Sequence, residues 1–332
     1  MNYFRYAVSL LALVVGLAGC YTDFELKVKD PDSHLVLHAF ITADSLVVSE
    51  ISQSWIAGQF PTPAALPDAR VALWLNGQFK EWLQWEIPAS PADSLLERGV
   101  YISTVRPAAG DSIELKVEAD GFEPVEGADR IPEKGQLENI RISMAGNTSG
   151  YQQMKMYITL QDPPGRRNYY GLRVYRKFLN HTPSGQGYDS EQVILDYSEE
   201  PLFSRTGTIF DDLFTSESYV PGLVYPFSDE QIDGQRYTLK VSTLVYSRVD
   251  TTSDREEQYV VCLYSFSEDY YRYVLSLIRQ GANSLSDYGL ADPALLYHNV
   301  VGGIGLVAAY RIDSETFDLR ALLKDSTSVQ IK

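Results

Sequence analysis

Two cysteines and four histidines are the scarce chemistry-bearing side chains of this sequence. Cys262 lies in the apolar run Tyr259-Val260-Val261-Cys262-Leu263-Tyr264, where a small hydrophobe is expected rather than a nucleophile. His34 and His38 share one face of an extended segment at a separation of about 13 Å, too far apart for a single metal ion. His181 and His298 stand alone, and neither CxxC nor HExxH occurs. Gly302-Gly303-Ile304-Gly305 lacks the Lys-Ser/Thr and the following helix of a phosphate loop, so close backbone approach is expected there. The acidic stretches Asp211-Asp212 and Asp229-Glu230-Gln231-Ile232-Asp233 offer hard oxygens but not the full calcium-loop pattern, and read as solvated loops. No metal ligand, cofactor site or catalytic residue emerges. Trp74, Trp82 and Trp85 cluster in one hairpin region. Core packing is the plainer reading, with Trp82 the exposed member and a weak candidate for ligand binding.

The other cysteine has a specific context. Met1–Tyr6 carries one charge, Arg5, and is followed by a mostly apolar run from Ala7 to Ala18. That run is shorter than the roughly 20 residues needed to span a bilayer as a helix. A basic start, a short apolar core and small residues before a cleavage point describe a signal peptide. Leu17-Ala18-Gly19-Cys20 has the form of a lipobox, in which the cysteine thiol takes a diacylglycerol and becomes the mature N-terminus. Each buried methylene contributes about 0.8 kcal/mol, so several acyl chains hold a protein on a membrane. Cys20 is therefore expected to be the lipidation site, with residues 1–19 removed.

Composition narrows the partners. Lys and Arg number 28 against 44 Asp and Glu, a formal charge of −16. Such a balance argues against nucleic acid, whose phosphates require basic side chains, and against electrostatic adhesion to anionic lipid.

The elements expected to carry these residues are mostly strands. Tyr, Val, Ile, Thr and Phe recur in short alternating runs bounded by Gly, Pro, Asn and Asp. His34–Thr42 reads as a strand, and Val71–Leu75 with Asn76-Gly77 and Gln78-Phe79 as a hairpin, since Asn-Gly suits a type I′ turn. Further strands are expected at 99–103, 112–117, 137–143, 155–160, 169–177, 237–247 and 258–264, and long loops over 180–235. Polar residues around Asp129–Gly135 suggest a linker. Ser265-Phe266-Ser267-Glu268 reads as a capping box opening a helix near 267–280, stopped at Gly281. A strand pair, 305–311 and 317–322, would close the chain. The expected fold is mainly β, with two β-sandwich-like domains and one helix in the C-terminal domain. The parts are a signal peptide (1–19), a tether (20–33), an immunoglobulin-like β-sandwich (34–132) and a β-rich domain (133–332).

Several stretches together resemble the DUF4249 lipoproteins of Bacteroidota, a family of unknown function. They are Leu35-Val36-Leu37 with Ile41-Thr42, Gly99-Val100-Tyr101, Ile131-Pro132, Asp162-Pro163 with Asn168-Tyr169-Tyr170, and Asp233-Gly234-Gln235. Most specific are Ser267-Glu268-Asp269-Tyr270-Tyr271-Arg272-Tyr273 and the segment from Tyr297 to Val307. The resemblance implies an outer-membrane lipoprotein associated with TonB-dependent transporters, and it implies no catalytic residue. Asp23 and Glu25 behind Cys20 loosely resemble a surface-export signal. The expected role is a non-enzymatic accessory protein, lipid-anchored at the outer membrane and displayed at the surface. It would bind a ligand or partner a TonB-dependent transporter in nutrient uptake. The alternatives are a surface hydrolase acting on glycans or peptides, and a structural adhesin.

Overall fold

Period-two burial organises the chain. In β1 (Leu35–Ile41), Leu35, Leu37, Ala39 and Ile41 are buried while His38 and Phe40 are exposed, as expected for a strand with one face inward. The computed structural model describes residues 33–54, 65–87, 99–148, 151–182, 185–203, 224–246, 257–282, 292, 294–318 and 328–331. These are mainly β, with a single α-helix among the described residues.

Three sheets carry the architecture. The longest has nine strands. In spatial order these are β12 (Gly185–Gln192), β11 (Tyr169–Thr182), β15 (Glu257–Phe266), β16 (Ile304–Asp318), β1, β2 (Val48–Gln53), β6 (Val100–Ile102) and β5 (Gln84–Glu86), with β13 (Tyr225–Ser228) added on β11. One four-stranded sheet orders β4 (Gln78–Trp82), β3 (Arg70–Leu75), β7 (Ser112–Glu118) and β8 (Val125–Arg130). The other four-stranded sheet orders β14 (Arg236–Tyr246), β10 (Tyr151–Gln161), β9 (Gln136–Thr148) and β17 (Ser328–Ile331). Between β3 and β4, Asn76 and Gly77 take φ of 51° and 75°, the positive pair a type I′ turn requires.

Both small sheets pack on the same face of the long one. Val307 and Ala309 of β16 enter the core beneath β3 and β7, while Phe317 of β16, with Tyr259, Val261 and Leu263 of β15, enters the core beneath β9, β10 and β14. The alternate residues Val260, Cys262, Tyr264 and Phe266 turn to the opposite face, where the helix α1 (Glu268–Ala282) covers them with Val274, Tyr270 and Tyr271. The first core also takes Val300 from the far end of the chain. The polar stretch after β8 is fastened to the long sheet. Gly135 N donates to Ser265 Oγ (2.7 Å), Leu137 N to Asp313 Oδ2 (2.8 Å), and Lys134 pairs with Asp313 at 2.8 Å.

Four local expectations change. The 180–235 region contains β12 and β13, because pairing along β11 outweighs its Ser-, Gly- and Asp-rich composition. The helix is capped by Ser267, whose Oγ accepts from Tyr270 N at 3.1 Å, and not by Ser265, which is taken by Gly135. Gly281 lies inside the helix rather than ending it. Residues 305–318 form one continuous strand, since Asp313 and Ser314 pair with Leu263 and Cys262 instead of turning. The parallel pairing of β1 with β16, from Val36↔Ile304 to Ile41↔Ala309, has no counterpart in the expected strand list.

Candidate functional site

Aromatic residues line up on the outer face of the β4-β3-β7-β8 sheet. Val71 and Leu73 point into the core, so alternation sends Arg70, Ala72 and Trp74 outward. Cross-strand pairing sets Trp82 opposite Ala72 and Phe79 opposite Trp74. The rings form a row. Trp74 and Phe79 meet edge-on with centroids 5.8 Å apart, and Phe79 and Trp82 are tilted at 5.6 Å. Trp82 is 46% exposed and Phe79 44%. Arg70 lies 4.4 Å over the Trp82 ring and Lys116 5.2 Å over Trp74. Both cations are themselves tied to acids, Arg70 to Glu118 and Lys116 to Glu114 and Glu126. Trp85 belongs elsewhere: its ring packs against Tyr101 at 5.1 Å beside the first core, and Gly99 (φ 79°) lets that ring approach the backbone.

Three carboxylates meet in a second place. Asp162, Asp229 and Asp233 bring oxygens within 4.8 Å of one another. Asp162 and Asp229 are 0% and 2% exposed. This corrects the expectation that 229–233 is simply a solvated acidic loop; Asp162, distant in sequence, completes the cluster. Its oxygens already hold hydrogen bonds. Asp162 accepts from Tyr170 OH (2.7 Å), Gly234 N (2.8 Å) and Asn168 Nδ2 (3.3 Å), Asp229 from Asn168 N (2.6 Å), and Asp233 from Gly165 N (2.9 Å). Burial, with Asp162 and Asp233 close by, pushes the Asp229 carboxyl above its usual range. Such an oxygen set suits a hard divalent cation. As built, it locks the 162–168 turn to the 229–235 turn.

A third polar cluster joins the core beneath β3 and β7 to the helix. Asp129 Oδ2 accepts from Ser267 Oγ and from Ala309 N (2.7 Å), and its Oδ1 from Arg130 N (2.7 Å). Burial outweighs these bonds, and with Asp269 nearby it raises the Asp129 carboxyl to about 7. Asn299 Nδ2 donates to Asp269 Oδ2 (2.9 Å) and Val307 O (2.8 Å), while its Oδ1 accepts from Val307 N (2.9 Å). Tyr297 OH donates to Asp269 Oδ1 at 2.6 Å.

The remaining candidates are dispersed. His34, His38 and His298 are exposed; His298 lies between the cluster members Tyr297 and Asn299. Cys262 is buried and its thiol is raised to about 11 by burial, which makes it a poor nucleophile. Gly302, Gly303 and Gly305 lie where β16 comes alongside β1: a Cβ on Gly303 would stand 2.5 Å from Leu35 O, which bears out the expected close backbone approach. A hollow lined by Lys134, Gln136, Glu138, Arg236 and Asp313 has its charges paired internally, Lys134 with Asp313 and Arg236 with Glu138. Cys20, Asp211 and Asp212 lie outside the described residues. No described helix is long and apolar enough to cross a membrane.

A family model described as "Domain of unknown function (DUF4249)" matches residues 21–316. The chain belongs to the DUF4249 family. No curated protein matches it. The stretches that carry the DUF4249 resemblance converge in this fold. Asp162, Asn168, Tyr170 and Gly234 meet in the second cluster, and Ser267, Asp269, Tyr297, Asn299 and Val307 in the third. Gly, Pro, Asn and Asp marked the turns in the sequence but gave no means of matching the pieces. Asp129 was missed because nothing around it in the sequence marks it as half-buried.

Proposed function

We propose that this DUF4249 chain is a non-enzymatic accessory lipoprotein of the outer membrane, tethered through Cys20 and displayed at the surface. It binds a ligand on its outer aromatic face and assists a TonB-dependent transporter in nutrient uptake. The observation that carries the reading is the row of the exposed rings Trp82 and Phe79 and the half-buried Trp74 on one sheet face. Flat rings on a fixed backbone offer apolar area at little conformational cost. Charges of both signs around them, Arg70 and Lys116 with Glu114 and Glu118, suit a neutral ligand with many hydroxyls, such as a sugar chain. The body begins roughly a dozen residues after Cys20, a stretch that reaches about 40 Å when fully extended.

The test titrates soluble oligosaccharides against the chain and against Trp82→Ala while following tryptophan fluorescence. Truncating an aromatic anchor typically costs about 2 kcal/mol, a fall of roughly 30-fold in affinity. Equal affinities would remove the aromatic face from the reading. Native lipidated protein purified from outer membranes should bring a TonB-dependent transporter with it, and material free of any transporter would remove that half.

A further inference from the structure

Arg173 lies over an aromatic ring rather than against an acid. It lies in β11 opposite Cys262 of β15. Its neighbours Leu172 and Val174 enter the core, so its side chain lies on the opposite, helix-covered face. There its guanidinium carbon sits 4.4 Å over the Tyr175 ring, and its charge is felt by Cys262, Tyr264 and Tyr270. Its Nε is buried without a hydrogen-bond partner. Among the described residues, no ion pair or hydrogen bond engages Arg173. Several other guanidinium groups in this acid-rich chain find carboxylates: Arg176, whose Nε is likewise without a partner, pairs with Glu191 and Glu257, Arg236 with Glu138, Arg311 with Asp44.

Arg173 is half-buried, but its Nε is fully covered, and a buried unsatisfied donor calls for an explanation. The contact with Tyr175 uses the ring face and leaves the N–H donors unfilled. Lys177, four residues on from Arg173 along the same strand face, adds a second positive charge that also reaches Cys262. The hydroxyls of Tyr175 and Tyr264 stand 3.3 Å apart and supply further donors. A planar fork of donors beside aromatic walls matches an oxyanion with a flat or apolar body.

We propose that Arg173 is the anion-recognition residue of a small-molecule site on the helix-side face of the long sheet. It takes the carboxylate or phosphate group of an organic acid, with Tyr175 and Tyr264 as wall and hydroxyl donors. This site lies on the side of the sheet away from the Trp82 row and does not depend on it.

The experiment titrates benzoate and, separately, inorganic phosphate against the mature chain by calorimetry, with Arg173→Gln and Arg173→Lys alongside. Wild type binds at least one of the two anions, and Arg173→Gln weakens that binding by roughly tenfold or more. Arg173→Lys keeps charge and stem but loses the fork, so it weakens binding too and reads the site should the Gln variant not fold. Preference for benzoate assigns a carboxylate ligand, and preference for phosphate assigns a phosphate ester. Without anion, Arg173→Gln melts no lower than wild type, because it removes a buried N–H donor that lacks a partner. The proposal is overturned if wild type binds neither anion up to about 10 mM, if either variant binds as wild type does, or if Arg173→Gln melts lower in the absence of anion.

Discussion

Asp129 offers the sharpest test of how this fold is held together. Folding moves its carboxyl from an ordinary 3.8 to about 7, with burial the largest cause. An acid whose pKa rises on folding takes up a proton as the chain folds. Its contribution to stability is therefore fully present below about pH 4 and is lost as the pH rises through about 7. The shift of roughly 3 units corresponds to a ceiling near 4 kcal/mol at 1.36 kcal/mol per unit. Partial exposure of the group reduces this to about 2–3 kcal/mol. Asp129→Asn removes the titration. It also replaces an acceptor, so one donor among Ser267 Oγ, Ala309 N and Arg130 N loses its partner, which costs about 1–2 kcal/mol at every pH. Urea unfolding at pH 5, 6, 7 and 8 measures both effects. Wild type and Asp129→Asn should lie close together at pH 8, and the advantage of wild type should widen by about 2 kcal/mol on going down to pH 5. Parallel stability curves for the two proteins, separated by a constant gap, would refute Asp129 as the titrating group.

Three other perturbations follow from the same geometry. Asp162→Ala strips acceptors from Tyr170 OH, Gly234 N and Asn168 Nδ2 and should lower stability by about 2–4 kcal/mol in thermal or urea unfolding. Gly305→Ala places a Cβ against Leu37 O at a φ of 129°; it should cost about 2 kcal/mol or more, with faster hydrogen exchange in β1 as the local sign. Cys20→Ala should move the protein from the membrane pellet to the soluble fraction in cell fractionation, since acyl chains supply the attachment under the proposed function.

What the sequence revealed follows the range of its interactions. Strands with clean alternation, such as Leu35–Ile41 and Ser112–Glu118, were visible because one face is core and the other solvent. The type I′ turn at Asn76-Gly77 was visible because its backbone demand is local. The pairing of β1 with β16 was not, since it joins residues 36–41 to residues 304–309 and leaves no periodic trace in either segment. The cap at Ser267 was misplaced for the same reason. Ser265 and Ser267 look alike locally, and only Gly135, far earlier in the chain, decides which is free to cap. Trp82 was legible as the outward member of its group because a strand ending in a polar hairpin leaves alternate aromatics uncovered. Arg173 was not, because an arginine between Leu172 and Val174 reads as ordinary alternation until the register shows no acid opposite it.

The residues that carry the family resemblance fall largely in two clamps, one around Asp162 and one around Asp129 and Asp269, and both clamps tie segments far apart in sequence. Buried, mutually bonded polar groups of this kind cannot lose one member without stranding the others. They fix which strands meet and leave the outer faces free. The Trp82 row stands on an exposed hairpin that neither clamp touches, and Arg173 on a strand face that neither clamp engages. If the clamps only specify architecture, ligand choice should be separable from folding. Trp82→Ala would then keep wild-type stability to within about 1 kcal/mol while losing its ligand, whereas Asp162→Ala would lose stability first and binding only as a consequence. A Trp82→Ala protein as unstable as Asp162→Ala would show that the aromatic face is part of the scaffold, and the search for a binding surface would move to Arg173.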